Sequence, residues 1–145
     1  MTRYLLDTNI ISDLIKPVRS PALVEWAAAQ ADDDLFIASM TLAEIRRGLL
    51  RLPAGRRRRD LESWFNGPDG PQATFTGRIL PFDEAAALIW ARLMVEGDAT
   101  GRPRNSADMV IAAVAEAHRC VIVTCNERDF VGLNYLNPVR DGSSG

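Results

Sequence analysis

The feature that most constrains this chain is a rhythm of short apolar runs, at residues 3–6, 35–38, 78–81 and 121–124, separated by stretches that carry helical signals. Strands alternating with helices predict one α/β domain, residues 1–140, built around a mostly parallel central sheet flanked by helices. A further short run near Leu133–Tyr135 is expected to close an edge. The expected helices run from Asn9 to Ile15, ended near Pro17, and from Pro21 to Ala29 behind a Ser20 N-cap. Others are expected at Thr41–Leu52, Arg56–Phe65, Asp83–Glu96 and Ala107–His118, the last apolar on nearly every side and therefore buried. Thr41 and Glu44 have the spacing of a capping box, and Asn66 to Pro71 forms the clearest loop.

Composition narrows the class. Of 145 residues, 47% are hydrophobic and 25% charged, the balance of an ordinary globular domain. No apolar run approaches the ~20 residues that span a bilayer, and the N-terminus lacks a secretory pattern. The expectation is a cytoplasmic protein with a flexible tail at residues 141–145. Cys120 and Cys125 flank one strand, too far apart when extended to be bridged, and read as reduced thiols. A net charge of −2 gives no global signal for nucleic acid, but the cations cluster. Lys16 is the only lysine, and arginines gather at Arg46, Arg47, Arg51 and Arg56–Arg59. Their planar forks match phosphate geometry.

The order of elements brings distant polar residues to one edge. Asp7 ends the first strand and Asn126 follows the strand 121–124. Glu44 lies early in the helix after strand 35–38, and Asp108 in the first turn of the helix that precedes strand 121–124. In a parallel sheet all four converge beyond the strand C-termini, where ligands of open α/β sheets bind. Each also has a structural explanation, as a cap, a dipole partner or a turn residue. Crowded carboxylates repel, however, and oxygen donors without histidine or cysteine suit a hard ion, Mg²⁺ or Mn²⁺. Other chemistries lack parts. His118 is the sole histidine, Cys125 has no evident base, and no glycine loop cradles phosphate. Trp26, Trp64 and Trp90 sit on expected helices and read as core or dimer contacts. An aspartyl phosphatase would want a second acid two residues after Asp7, where Asn9 stands.

Leu5-Leu6-Asp7-Thr8-Asn9-Ile10-Ile11-Ser12, Thr41-Leu42-Ala43-Glu44-Ile45-Arg46-Arg47-Gly48 and Gly77-Arg78-Ile79-Leu80-Pro81-Phe82-Asp83 follow one another along the chain. Ala107-Asp108-Met109-Val110-Ile111-Ala112-Ala113, Val123-Thr124-Cys125-Asn126 and Asn137-Pro138 complete the series. In this order they resemble the PIN-domain toxins of bacterial toxin–antitoxin pairs, in the VapC/FitB branch, over essentially residues 3–140. The resemblance implies a three-layer PIN-like fold and an endoribonuclease dependent on Mg²⁺ or Mn²⁺. It further implies a homodimer and a cognate antitoxin whose tail blocks the active cleft and through which alone operator DNA is reached. Asp7, Glu44 and Asp108 match the family's first three acids, and the fourth position falls on Asn126, with Asp129 and Thr124 as auxiliary residues. The implied roles are metal binding by Asp7 and Asp108, and orientation or deprotonation of the attacking water by Glu44 with help from Asn126. Arg46, Arg47 and Arg51 become candidate contacts to the RNA backbone. The alternative, motivated by Asn126, is a catalytically weak or inactive PIN scaffold acting through its antitoxin and operator DNA.

Overall fold

Arg3–Leu6 forms β1, the middle strand of a five-stranded sheet, in a computed structural model that describes residues 1–16 and 19–140. Pro17, where the first helix was expected to end, and the tail 141–145 lie outside the described residues. On one side β1 pairs with β2 (Leu35–Ala38) and on the other with β4 (Cys120–Val123). β3 (Ile79–Leu80) adds to β2, and β5 (Tyr135–Leu136) adds to β4, giving the order β3-β2-β1-β4-β5 with every pairing parallel.

Strand periodicity divides the core into two layers. Leu5, Phe36 and Ile122 share one face, packed with Met109, Ile111, Val114 and Phe130. Leu6, Ile37 and Val123 share the other, packed with Ile10, Ile11, Leu23, Trp26 and Phe75. The first face is covered by α6 (Glu84–Ala99) and α7 (Ser106–Ala117). α1 (Thr8–Leu14), α2 (Pro21–Ala29), α3 (Ser39–Leu50), α4 (Arg56–Asn66) and Phe75, which ends α5 (Pro71–Thr74), supply residues that pack on the second. The three layers expected from the sequence are present.

Local chemistry sets most helix starts. Ser20 Oγ accepts from Leu23 N at 3.4 Å with Pro21 at the first helical position. Asp83 caps α6 at Ala86 N, 3.0 Å, and Asn105 caps α7 at Asp108 N, 3.0 Å. α7 is buried at every position from Met109 to Ala115, and its alanines let α6 lie close along it. Asp32–Asp34 forms a single 3-10 turn before β2.

The capping box at Thr41 and Glu44 does not form. β2 runs straight into α3, whose N-cap is Ala38 without a side-chain hydrogen bond, so the helix begins two residues earlier than its polar pattern suggests. Thr41 is then inside the first turn and fully buried, free to bond across to another helix. The loop at residues 66–71 is also shorter than expected, because α4 reaches Asn66 and Pro71 opens α5. Among the described residues no helix is long and apolar enough to cross a membrane.

Gly70 makes the tight α4–α5 junction possible, since a Cβ there would stand 2.4 Å from the carbonyl oxygens of both Trp64 and Phe65. Gly70→Ala is expected to destabilise the protein by about 1–3 kcal/mol through overpacking against backbone. Urea denaturation of the two proteins checks this.

Candidate active site

The chain leaves β1 toward β2 on one side, and β4 lies on the other, so the C-terminal ends of β1 and β4 form the topological switch point of the sheet. Asp7 stands there, 4% exposed, with its N–H still in the ladder to Val123 O at 2.9 Å. Both carboxylate oxygens are held. Oδ1 accepts the N–H of Thr8 at 2.8 Å and so starts α1; Oδ2 accepts the hydroxyl of Thr124, the residue after β4, at 2.9 Å. Thr124 is fully buried and its Oγ1 also accepts the N–H of Asn126 at 3.0 Å. A single hydroxyl therefore ties the ends of the two strands and the loop beyond them.

Glu44 reaches the same edge from α3. Thr8 Oγ1 lies 2.6 Å from Glu44 Oε1 and 3.2 Å from Thr41 Oγ1. A hydroxyl has one proton to give. The shorter contact takes it, so Thr8 donates to the carboxylate and the buried Thr41 donates to Thr8. This relay was not visible in the sequence, where Thr41 read as a cap.

Asp108 sits in the first turn of α7, half-buried, where the helix dipole favours an anion. Its carboxyl is nevertheless pushed up to about 6, first by desolvation and then by the charges of Asp129, Asp7 and Glu44. Burial likewise raises the Asp7 carboxyl; the Thr124 and Thr8 bonds draw it back, and Glu44 and Asp129 push it further up. Four carboxylates therefore feel one another at this edge.

Asn126 itself is exposed, and the interactions it makes are backbone ones: besides its N–H bond to Thr124, its carbonyl accepts Asp129 N at 3.1 Å. The turn that follows, Glu127–Phe130, is anchored by Phe130, which is fully buried. It delivers the negative charge of Asp129 to the site one turn beyond the position that Asn126 occupies.

The candidate arginines separate. Arg46 lies over the Phe65 ring at 5.7 Å with one amino group buried, and so joins α3 to α4. Arg47 and Arg51 are exposed. Beside them runs a groove of about 780 Å³ from Thr8 and Glu44 along α1, α3 and α4, lined by Ile15, Ile45, Leu49, Leu52, Leu61 and Trp64 among others. Gly48 opens onto it with nothing within 4 Å of where its Cβ would be. Trp26 is buried against Tyr4, ring centroids 5.1 Å apart, and Trp90 Nε1 donates to Ser106 O at 3.0 Å. Cys120 and Cys125 are free thiols.

Comparison with known proteins places this geometry. The family described as PIN domain matches residues 4–133 of the chain. The chain belongs to the PIN-domain family. Its relatives include the VapC ribonuclease Y4jK of Sinorhizobium fredii, 38% identical over 136 residues, which are 92% of this chain and 96% of that protein. Toxin FitB of Neisseria gonorrhoeae is 32% identical over 139 residues, 94% of this chain and 99% of the other. The solved structure of FitAB bound to a DNA fragment matches with a TM-score of 0.85 at 31% identity, covering 94% of this chain and 96% of that one.

In this PIN domain the acids act on one another through charge rather than through a closed cage. Among the described residues no three His, Cys, Asp or Glu side chains are gathered tightly enough to form one. The repulsion has a thermodynamic consequence without metal. Because the folded Asp108 carboxyl titrates at about 6, above its ordinary 3.8, the folded state loses stability as pH rises from about 4 through 6. Asp108→Asn is therefore expected to stabilise the chelator-treated protein at pH 7.5. The gain is on the order of 1–2 kcal/mol after discounting for solvent screening at a half-buried group. It should shrink below pH 6 and vanish near pH 4, as read by urea denaturation across that range.

Proposed function

We propose that this protein is the toxin of a type II toxin–antitoxin pair, an endoribonuclease that hydrolyses RNA phosphodiester bonds with Mg²⁺ or Mn²⁺. The observation that carries the reading is the convergence of Asp7, Glu44, Asp108 and Asp129 at the sheet's switch point, each raising or sharing the electrostatic strain of the others. The names of the relatives, ribonuclease and toxin, support the substrate and the biological setting.

The donor set fits a hard divalent ion, being oxygen only. Asp7 and Asp108 would hold it. When bound, the ion stabilises charge on phosphate oxygens and acidifies water. Glu44 takes the proton of the attacking water through the oxygen that Thr8 leaves free, while the 2.6 Å bond fixes the other. Thr124 holds Asp7 in place from the end of β4. Asn126 helps position the water, and Asp129 contributes the fourth negative charge. Arg47 and Arg51 contact the RNA backbone, with Arg46 holding the helix that carries them against α4.

The apolar groove beside Glu44 receives a segment of the cognate antitoxin, and its open floor at Gly48 leaves room for one. Operator DNA is bound only through the antitoxin. Leu88 and Val95, 70% and 66% exposed and seven residues apart on α6, give a second copy of the chain an apolar stripe. The protein acts in the cytoplasm, where its RNA is.

Purified protein should cut RNA when Mg²⁺ or Mn²⁺ is supplied and not in chelator, and Asp7→Asn should abolish the cutting. Equal cleavage by wild type and Asp7→Asn would sink the assignment. Absence of cleavage alongside normal antitoxin binding would favour an inactive scaffold.

Substitutions along the hydroxyl relay grade the effect. Glu44→Gln should lower kcat by about 10²–10⁴-fold with a melting temperature close to wild type, because an amide oxygen can still accept from Thr8. Thr8→Val, losing one charge-assisted bond worth ~1.5 kcal/mol, should cost roughly tenfold in kcat. Steady-state kinetics with matched thermal melts distinguish these outcomes.

A further inference from the structure

The flank of the carboxylates opposite the apolar groove has a different chemistry. A cleft of about 330 Å³ lies between the α6–α7 connection and the turn that carries Asp129, with Arg102, Arg104, Asn105, Arg128 and Asp129 in its walls. It adjoins the active edge through two of these residues. Asn105 caps the helix that bears Asp108, and Asp129 is the largest of the charges acting on that carboxyl.

Its cations are of two kinds. Arg104 is structural: Nη1 donates to Leu93 O at 2.6 Å and lies 3.6 Å from Glu96, with only 16% of its side chain exposed. Gly97 makes room for it, since a Cβ there would stand 2.8 Å from Arg104 Cγ and 2.9 Å from Cδ. The left-handed Gly101, φ +73°, turns the connection directly after α6. Arg102 and Arg128 are the opposite case. Both are exposed, and among the described residues neither guanidinium takes part in an ion pair. Arg128 rides on the turn that the buried Phe130 anchors, next to Asp129. Two uncompensated forks are thus mounted on segments pinned beneath them, beside a site whose own charge is negative.

We infer that this cleft is a phosphate cradle in which Arg102 and Arg128 hold the RNA strand next to the bond being cut; the inference rests on the ribonuclease reading above. The carboxylates repel the polyanion they must receive, and cations placed along the strand offset that repulsion. Guanidinium forks take phosphate oxygens bidentately, and the Asn105 amide nitrogen, across from the oxygen that caps α7, adds a neutral donor in the wall. The volume suits part of a strand and is too small for a docked helix, about 10 Å across. The groove on the other flank joins an apolar floor to Lys16, Arg56 and Arg57, a lining fit for a peptide with apolar anchors and acidic side chains. The strand held in this cleft crosses the acids toward Arg47 and Arg51, so substrate and antitoxin compete at the acids and along α3, and only the substrate reaches Arg102 and Arg128. Arg102 and Arg128 are positioning residues, acting on the strand rather than on the reacting atoms.

The test is fluorescence anisotropy with a labelled single-stranded 12-nucleotide RNA and Mg²⁺, in the Asp7→Asn background so that binding is read without cleavage. Adding Arg102→Ala and Arg128→Ala together should weaken binding about tenfold near 0.1 M salt. It should also make the log K against log salt slope shallower by about 1.4, the value for two single-strand phosphates. In the active protein the same pair should raise KM with kcat nearly unchanged, and Arg128→Lys should recover part of the loss. Unchanged affinity and slope in the double variant would overturn the cradle while leaving the ribonuclease reading intact. So would a loss of antitoxin affinity with RNA affinity retained. Wild-type protein that binds this RNA through the two arginines yet never cuts it would uphold the cradle and sink the nuclease.

Discussion

A carboxylate taken out of water must be repaid in hydrogen bonds or it will take up a proton, and this PIN domain is arranged around one such group. Asp7 is seated between β1 and β4 because the sheet changes direction there, and both of its oxygens are occupied by bonds from Thr8 and Thr124. Those bonds only partly compensate its burial, and Glu44, Asp108 and Asp129 add repulsion. The protein thus holds at this edge an electrostatic cost that the rest of the fold must cover. The buried run Met109–Ala115 of α7 and the two packed layers are the counterweight. On the proposed function, a bound cation would relieve that cost and turn strain into affinity.

Much of this could be read along the chain because the acids fall where periodicity changes. Asp7 closes an apolar run, and Asp108 opens a helix behind its own N-cap, so their placement follows from where strands and helices begin and end. The parallel sheet then brings them together without further information. Trp26 and the buried run Met109–Ala115 of α7 were legible for the same reason, since burial follows pattern.

What escaped the sequence depends on how elements meet rather than on where they start. Thr41 has the spacing of a cap, but β2 continues directly into α3, and the hydroxyl turns inward to Thr8 instead. Arg46 belongs to a run that reads as a cationic face, yet it lies against Phe65, a residue of the next helix. Arg102, Arg104 and Arg128 are scattered in sequence and become one cleft only through the close packing at Gly97 and the anchoring of Phe130. Asn126 and Asp129 illustrate the same limit at short range. A 3-10 turn brings the charge of Asp129 to the acids beyond the neutral Asn126, and single-turn geometry is poorly encoded in polar residues alone.

Asp7 is both an acid of the site and the start of α1, and this double duty shapes what a population of cells under selection for escape from the toxin would accumulate. An amide at this position can still take the Thr8 N–H and face Thr124 Oγ1, so it silences the chemistry in a protein that folds and can still occupy its antitoxin. An aliphatic side chain removes the helix cap and strands a buried hydroxyl, at a cost of about 1–3 kcal/mol for the unpaired group alone. Such alleles would leave the antitoxin unclaimed. Two lesions at one codon thus have opposite consequences for assembly on the proposed reading: one preserves a silent partner, and the other removes the partner altogether.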